Sequence, residues 1–422
     1  TKDVLMPDKL EIESGGGVNT KPTVDTDFEK RFFAGGKIEA YCGPQEVGAP
    51  DDLEAVIIDF IDNAKEDLLI AVQELDNTEI AQAIINAAWR GVTVTVFLEQ
   101  DYLRDRQDKL PKAKKPPAHE DYQRIQWDTI KDEEDNKHGI NRNIFGALLR
   151  NGVNVRADYN SNIFHQKFII RDYTTSKDKP TPSVLTGSTN FTWTGCHKNL
   201  NHVVIFHDIA IARRYKSEFD QLRRGIFGRG GETRNNTVVQ TYNVGGVPVR
   251  ILFAPDNTPE LEMIKQMLRA KHRIDYAIFT FVKSSSVDDA MVALHRAGVK
   301  VRGAMEKRQS NREWSSRQWL QLERLEFYFP DTQDPVFKRK LGKLHHKLLV
   351  IDDHIVIGGS MNFTGPANET NDENIFVLGS PFNLPEKHGG PVNHSRCAAL
   401  ADFFRREVNR IIDHSVRVDR DT

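Results

Sequence analysis

The stretch Leu344-His345-His346-Lys347-Leu348-Leu349-Val350-Ile351-Asp352, followed by Gly359-Ser360-Met361-Asn362-Phe363, constrains this chain most because it has a twin. The earlier copy runs Phe164-His165-Gln166-Lys167-Phe168-Ile169-Ile170-Arg171-Asp172, then Gly187-Ser188-Thr189-Asn190-Phe191. Both read His-x-Lys-x4-Asp and then Gly-Ser-x-Asn-Phe. A single copy has a bland explanation, a histidine packed on a strand. Two copies, each beside an apolar run of β character, point to two similar half-molecules sharing one site.

The flanking sequence repeats as well. In the first half a strand at 37–44 is followed by Leu53, Val56, Ile57, Phe60 and Ile61 at helical spacing, with Asp51 or Asp52 as N-cap. A strand at 68–72 follows, then a helix opened by Asn77 and a strand at 92–97. The second half matches it with strands at 249–254, 274–279 and 299–301 and helices around 261–267 and 287–297. Helices at 211–222 and 398–412 close the halves. Such alternation predicts an α/β fold, a mixed sheet with flanking helices in each half. The expected organisation is a polar lead-in (1–35), a first half (36–227), a linker (228–246), a second half (247–416) and a tail (417–422). An insertion rich in charge and proline, about 104–139, reads as a solvated loop or a substrate-gating lid.

A chain of 422 residues exceeds one ordinary core, which agrees with two halves. Apolar residues make up 39%, charged residues 28%, and mean hydropathy is −0.52. No apolar run approaches the ~18 residues of a membrane span, so no integral membrane segment is expected. Net charge is −2, so a nucleic-acid partner would have to meet a local basic groove. Cys42, Cys196 and Cys397 are scattered singly, which argues against a zinc cluster or a disulfide framework. A cytoplasmic location is the expectation; a periplasmic or secreted one stays open, because the numbered chain begins at Thr1 and a leader could precede it.

The motif residues suit phosphoryl chemistry. On a strand His165 and Lys167 face one way, as do His345 and Lys347, while His346 faces the other and reads as structural. One histidine can attack phosphorus while the other protonates the leaving oxygen. Lys167 and Lys347 are expected to supply fixed positive charge. Asn190 and Asn362 are expected to donate to the phosphate, and Ser188 and Ser360 to bind or orient it, on Gly-Ser turns that let backbone approach an anion. Asp172 and Asp352 end their strands and are counted with the catalytic set as braces. No cofactor and no metal is required.

This pattern resembles the phospholipase D superfamily over residues 37–415. The resemblance implies two α/β sandwich halves packed as an internal pseudo-dimer, with the site at their junction. It also implies His165 as nucleophile and His345 as general acid. Many members carry an acidic residue after Gly-Ser-x-Asn that orients a histidine; Glu373 occupies that place in the second half, furnishing the second motif, whereas the first half has Asn201. The family includes nucleases, phospholipases and phosphatidyltransferases. A basic run, Lys338, Arg339, Lys340 and Lys343, and the cation–aromatic stretch with Arg308, Arg312, Trp314 and Trp319 favour nucleic acid as partner. Trp319 with Leu320, Leu322 and Leu325 can equally be a helix core face. The reading is therefore a metal-independent phosphodiesterase, a nuclease by preference, with a phospholipid enzyme as alternative. One chain holds a complete site, so a monomer suffices and a homodimer remains open.

Overall fold

A computed structural model describes residues 30–103, 137–173, 180–229, 239–384 and 390–418. The first half runs β1 (Phe32–Phe33), β2 (Ile38–Gly43), α1 (Leu53–Asp62), β3 (Asp67–Val72), α2 (Thr78–Trp89), β4 (Thr93–Leu98), α3 (Lys137–Arg150), β5 (Asn154–Ala157), β6 (Lys167–Arg171), β7 (Ser183–Gly187), α4 (Trp193–His197), β8 (Asn199–His207) and α5 (Ile209–Arg223). The second runs β9 (Tyr242–Val244), β10 (Val247–Ala254), α6 (Pro259–Met267), β11 (Arg273–Ile278), α7 (Val287–Arg296), β12 (Lys300–Met305), α8 (Lys307–Ser310), α9 (Arg317–Leu322) and β13 (Glu326–Pro330). It continues with β14 (Lys343–Leu344), β15 (Lys347–Ile351), β16 (Ile355–Gly359), α10 (Gly365–Glu369), β17 (Glu373–Leu378), α11 (His394–Asp413) and β18 (Ser415–Arg417).

Each half builds one mixed sheet, in the orders β1-β2-β8-β7-β6-β3-β4-β5 and β18-β13-β12-β11-β15-β16-β17-β10-β9. Strands β3, β4 and β5 are parallel, as are β11, β12 and β13, while β6 and β15 run antiparallel to them. The motif strands explain why both apolar runs are continuous. Phe168 and Ile170 face a central core and Ile169 an outer one; Leu348 and Val350 face the same central core, and Leu349 and Ile351 a third. The two sheets thus pack through that central core, joined there by α5 and α11, and α1–α3 and α6, α7 and α9 cover the outer faces. The α/β pseudo-dimer expected from the sequence is observed.

Local signals behave as their chemistry dictates. Asp52, not Asp51, caps α1 by accepting from Ala55 N, and Asn77 caps α2 through Ile80 N. Asp51 instead accepts from Cys42 N and pairs with Arg31. Strand β9 lies inside the stretch read as a linker, and the 104–136 part of the charged insertion falls outside the described residues. The three cysteines are free and buried. Among the described residues no helix is long and apolar enough to cross a membrane.

Candidate active site

Both motif histidines stand one residue pair ahead of their strands, at the ends where the halves meet. This differs from a histidine within the strand, and the cause is pairing across the halves. His165 N donates to Asp372 O at 2.9 Å, and His345 N donates to Leu200 O at 2.9 Å. Strand β14 pairs with β8 of the other half, and Phe164 bridges to Asp372. Each histidine is therefore held by the opposite half, and the side chains follow suit. Glu373 Oε2 lies 2.6 Å from His165 Nδ1, and Asn201 Oδ1 lies 2.9 Å from His345 Nδ1. The expectation that Glu373 furnishes the second motif is thus corrected: the carboxylate serves the first motif, and the neutral amide serves the second.

These partners fix the tautomers. Asn201 Nδ2 donates to Gly195 O, and Ser188 Oγ donates to Asn201 Oδ1, so that oxygen is an acceptor and His345 Nδ1 carries the hydrogen. His165 Nδ1 donates to Glu373 in the same way. Both rings then present Nε2 for chemistry. Ser360 Oγ donates to Glu373 Oε2 at 2.6 Å. Both motif serines are fully buried with their hydroxyls committed to Asn201 or Glu373, so they orient the histidine partners and do not bind phosphate. The glycine before each serine meets backbone, not an anion. A Cβ at Gly187 would lie 2.2 Å from His202 O, and one at Gly359 2.3 Å from Asn374 O.

Lys167 and Lys347 are buried beside the histidines. Lys167 Nζ donates to His165 O at 2.9 Å and Gln73 Oε1 at 3.2 Å; Lys347 Nζ donates to His345 O at 2.8 Å and lies 4.9 Å from the Phe279 ring centroid. Burial pushes Lys167 down to about 7, opposed by Glu373, and Lys347 well below its ordinary value. Burial therefore works against the charged form of both amines. Burial also lowers His165 to about 4, against the raising effect of Glu373, and His345 well below its usual range with Lys347, Lys343 and Lys167 adding. Asn190 Oδ1 and Asn362 Oδ1 are buried without a hydrogen-bond partner. An acceptor oxygen cannot hold an anion, so a phosphate would have to meet the Nδ2 donors of these amides.

Asp172 and Asp352 do not belong to this cluster. Asp172 Oδ1 accepts from Lys65 N and Glu66 N, and Asp352 accepts from Lys271 N, His272 N and Arg273 N. They tie the far end of each motif strand to the start of β3 or β11.

Lys343 enters the site, 5.0 Å from the centroid of Phe279, whose ring is 4.8 Å from that of His345. Lys338, Arg339 and Lys340 are exposed on the turn before it, Arg308 is exposed on α8, and Arg312 and Trp314 are exposed beyond it. Trp319 instead packs partly buried on the second half's outer core with Leu320 and Leu325, while Leu322 is exposed.

Two sets of residues escaped the motif reading. Glu99 Oε2 accepts from Phe164 N at 2.6 Å, and Glu306 Oε2 accepts from Leu344 N at 2.8 Å, clamping the residue ahead of each histidine. Beneath the histidines, Asn374 Nδ2 donates to Gln166 Oε1 at 2.7 Å, and the His202 and His346 rings face each other with Nδ1 atoms 3.1 Å apart. Gly359 N donates to His202 Nε2, and His346 Nε2 lies 3.2 Å from Glu407, so both imidazoles are neutral links in a chain ending at Arg410. Aligning the repeat would have exposed both sets, since Glu99 and Glu306 each follow the corresponding strand.

The family model described as "Cardiolipin synthase, PLD-like domain" matches residues 57–223 and 263–387. A mitochondrial cardiolipin hydrolase of Chlamydomonas reinhardtii is 28% identical over 216 residues, 44% of this chain and 92% of that protein. The Xenopus tropicalis mitochondrial cardiolipin hydrolase is 30% identical over 111 residues, 26% of this chain and 49% of that protein. The fold matches phosphatidylserine synthase of Haemophilus influenzae with a TM-score of 0.56 at 12% identity, over 95% of this chain and 92% of that one. With both halves matched by one family model and repeated in one fold, the chain belongs to the phospholipase D-like family of phosphodiester-acting enzymes.

Proposed function

We propose that the chain is a metal-independent phosphodiesterase working through a phosphohistidine at His165, with nucleic acid strands as substrate. The carrying observation is the unequal furnishing of two imidazoles that both present Nε2. Glu373 beside His165 Nδ1 balances the positive charge that appears when Nε2 bonds to phosphorus. His345, with only the Asn201 amide behind it, is a readily released proton donor once the bound phosphate has charged it.

In the first step His165 Nε2 attacks phosphorus, the P–O bond to the leaving group breaks, and the His345 Nε2 proton passes to the departing oxygen. In the second, His345 takes a proton from water, the resulting hydroxide attacks phosphorus, and the P–N bond breaks to release a phosphomonoester. Lys167, Lys347, Asn190 and Asn362 hold the non-bridging oxygens throughout.

Lys343 over Phe279 and the exposed cations before β14 and after α8 favour a strand carrying several phosphates. Phospholipid is the second reading, favoured by the names of the relatives and by Ile163, 44% exposed two residues before His165, at the position matching Lys343.

Single-stranded and duplex DNA, RNA and cardiolipin vesicles incubated in EDTA separate the two. Nucleic acid cleavage, lost in His165→Ala and His345→Ala, is expected; cleavage of lipid and of no nucleic acid overturns the substrate assignment. Rapid quenching with labelled substrate should trap an acid-labile phosphoryl group on the chain, and its absence would refute the covalent step.

A further inference from the structure

The two halves share their fold, and the second gathers cations at the ends where ligand must lie. In sheets of this kind ligands sit beyond the carboxyl ends of the parallel strands, here the ends of β3, β4 and β5 and of β11, β12 and β13. Both halves carry acids there, Glu99, Asp101 and Asp158 in the first and Glu306 and Asp331 in the second. In the second half the ends of β12 and β13 open into a cavity of about 350 Å³ lined by Lys307, Arg317 and Arg417, with Asp331 the acid among its lining. Phe329 forms part of the wall, and the Arg317 guanidinium lies 5.2 Å from its ring centroid. Lys307 directly follows Glu306, which clamps the residue before His345.

Strand order places this cavity beside the site. The motif cluster sits where β11 meets β15, and β13 is two strands away from β11, about 10 Å across the sheet. That is roughly two nucleotides of extended strand from the scissile phosphate. Three cations and an aromatic wall in a nucleotide-sized cavity suit a phosphate with its neighbouring base.

We infer that the Lys307, Arg317 and Arg417 cavity is a second phosphate subsite that draws a polynucleotide across the second half. This rests on the nuclease reading, and the test keeps the two separate. Binding of fluorescein-labelled octathymidylate to the full-length chain carrying His165→Asn is followed by anisotropy at several salt concentrations, with and without Lys307→Ala and Arg417→Ala. The double change is expected to raise Kd about tenfold, as loss of a charged hydrogen bond does, and to flatten the log Kd against log salt slope by about 1–2.

In the active chain, kcat/KM for the octamer should fall about tenfold relative to that for bis(p-nitrophenyl) phosphate, which is too small to reach the cavity. Unchanged Kd and slope overturn the subsite, as does an equal loss on both substrates. So does a loss confined to binding of anionic lipid vesicles. An octamer bound through the cavity but never cut preserves the subsite and removes the nuclease reading. An octamer cut by a double variant of unaltered Kd does the reverse.

Discussion

Glu373→Gln isolates the charge that separates the two histidines. The amide keeps the shape, can still accept from His165 Nδ1 and Ser360 Oγ, and removes only the negative charge. The Nδ1–Oε2 distance of 2.6 Å puts the centres of imidazolium and carboxylate about 4 Å apart, worth about 4 kcal/mol at an effective dielectric of 20. If that attraction acts on the phosphoimidazolium and its transition state, the first step slows about a thousandfold. The assay is rapid-quench formation of the phosphoenzyme with bis(p-nitrophenyl) phosphate, whose good leaving group makes little demand on His345. Glu373 also opposes the burial that lowers His165 to about 4. The acid-side limb of kcat/KM, where His165 loses its proton and becomes nucleophilic, should therefore move to lower pH in the variant. A loss below about tenfold, or a rise in KM with kcat and the limb unmoved, would refute the charge-balancing role.

On the basic side the profile should report His345. Its protonated form is the acid, and burial with three lysines holds its value well below 6.5. The competent fraction thus declines as pH rises, and kcat/KM should already be falling between about pH 6.5 and 8.5; a plateau across that range contradicts the assignment. Glu218 on α5 is buried, and burial, helped by Asp256 and opposed by Arg214, pushes it up to about 8. A carboxyl raised in the folded state contributes stability below its unfolded value of 4.5 and loses it as pH climbs to 8. Glu218→Gln mimics the protonated form, so its Tm advantage should widen by a few degrees between pH 5 and pH 8, measured by calorimetry; a difference independent of pH would count against it.

The duplicated motif carried most of the fold because its apolar runs are buried on both faces. Phe168 and Ile169 must each find a core, and only a sheet between two layers supplies both. Periodicity also placed the helices and the cap at Asn77, and narrowed the cap of α1 to Asp51 or Asp52, since those signals act within a few residues. The holders of the histidines were harder to read. Nothing in the local spacing of Glu373 distinguishes service to His345 from service to His165, because that choice is made by a strand crossing between halves. The burial of the lysines was equally hard to read, because solvent access is set by the folded chain and not by local spacing. The serines looked like phosphate ligands because hydroxyls in Gly-Ser turns often are, whereas these turns close on Asn374 and His202 backbone.

The reciprocal holding of the histidines bears on why the two copies share one polypeptide. In a symmetric association of two identical chains, any residue chosen to back one imidazole would back both, so nucleophile and acid could not be furnished differently. Fusion lifts that restriction. Glu373 and Asn201 occupy matching positions yet act on opposite rings, so each copy could change one residue and specialise the other copy's histidine. Neither copy could then work as a separate molecule, and a cut between β8 and β10 should leave fragments that regain function only by reassociating.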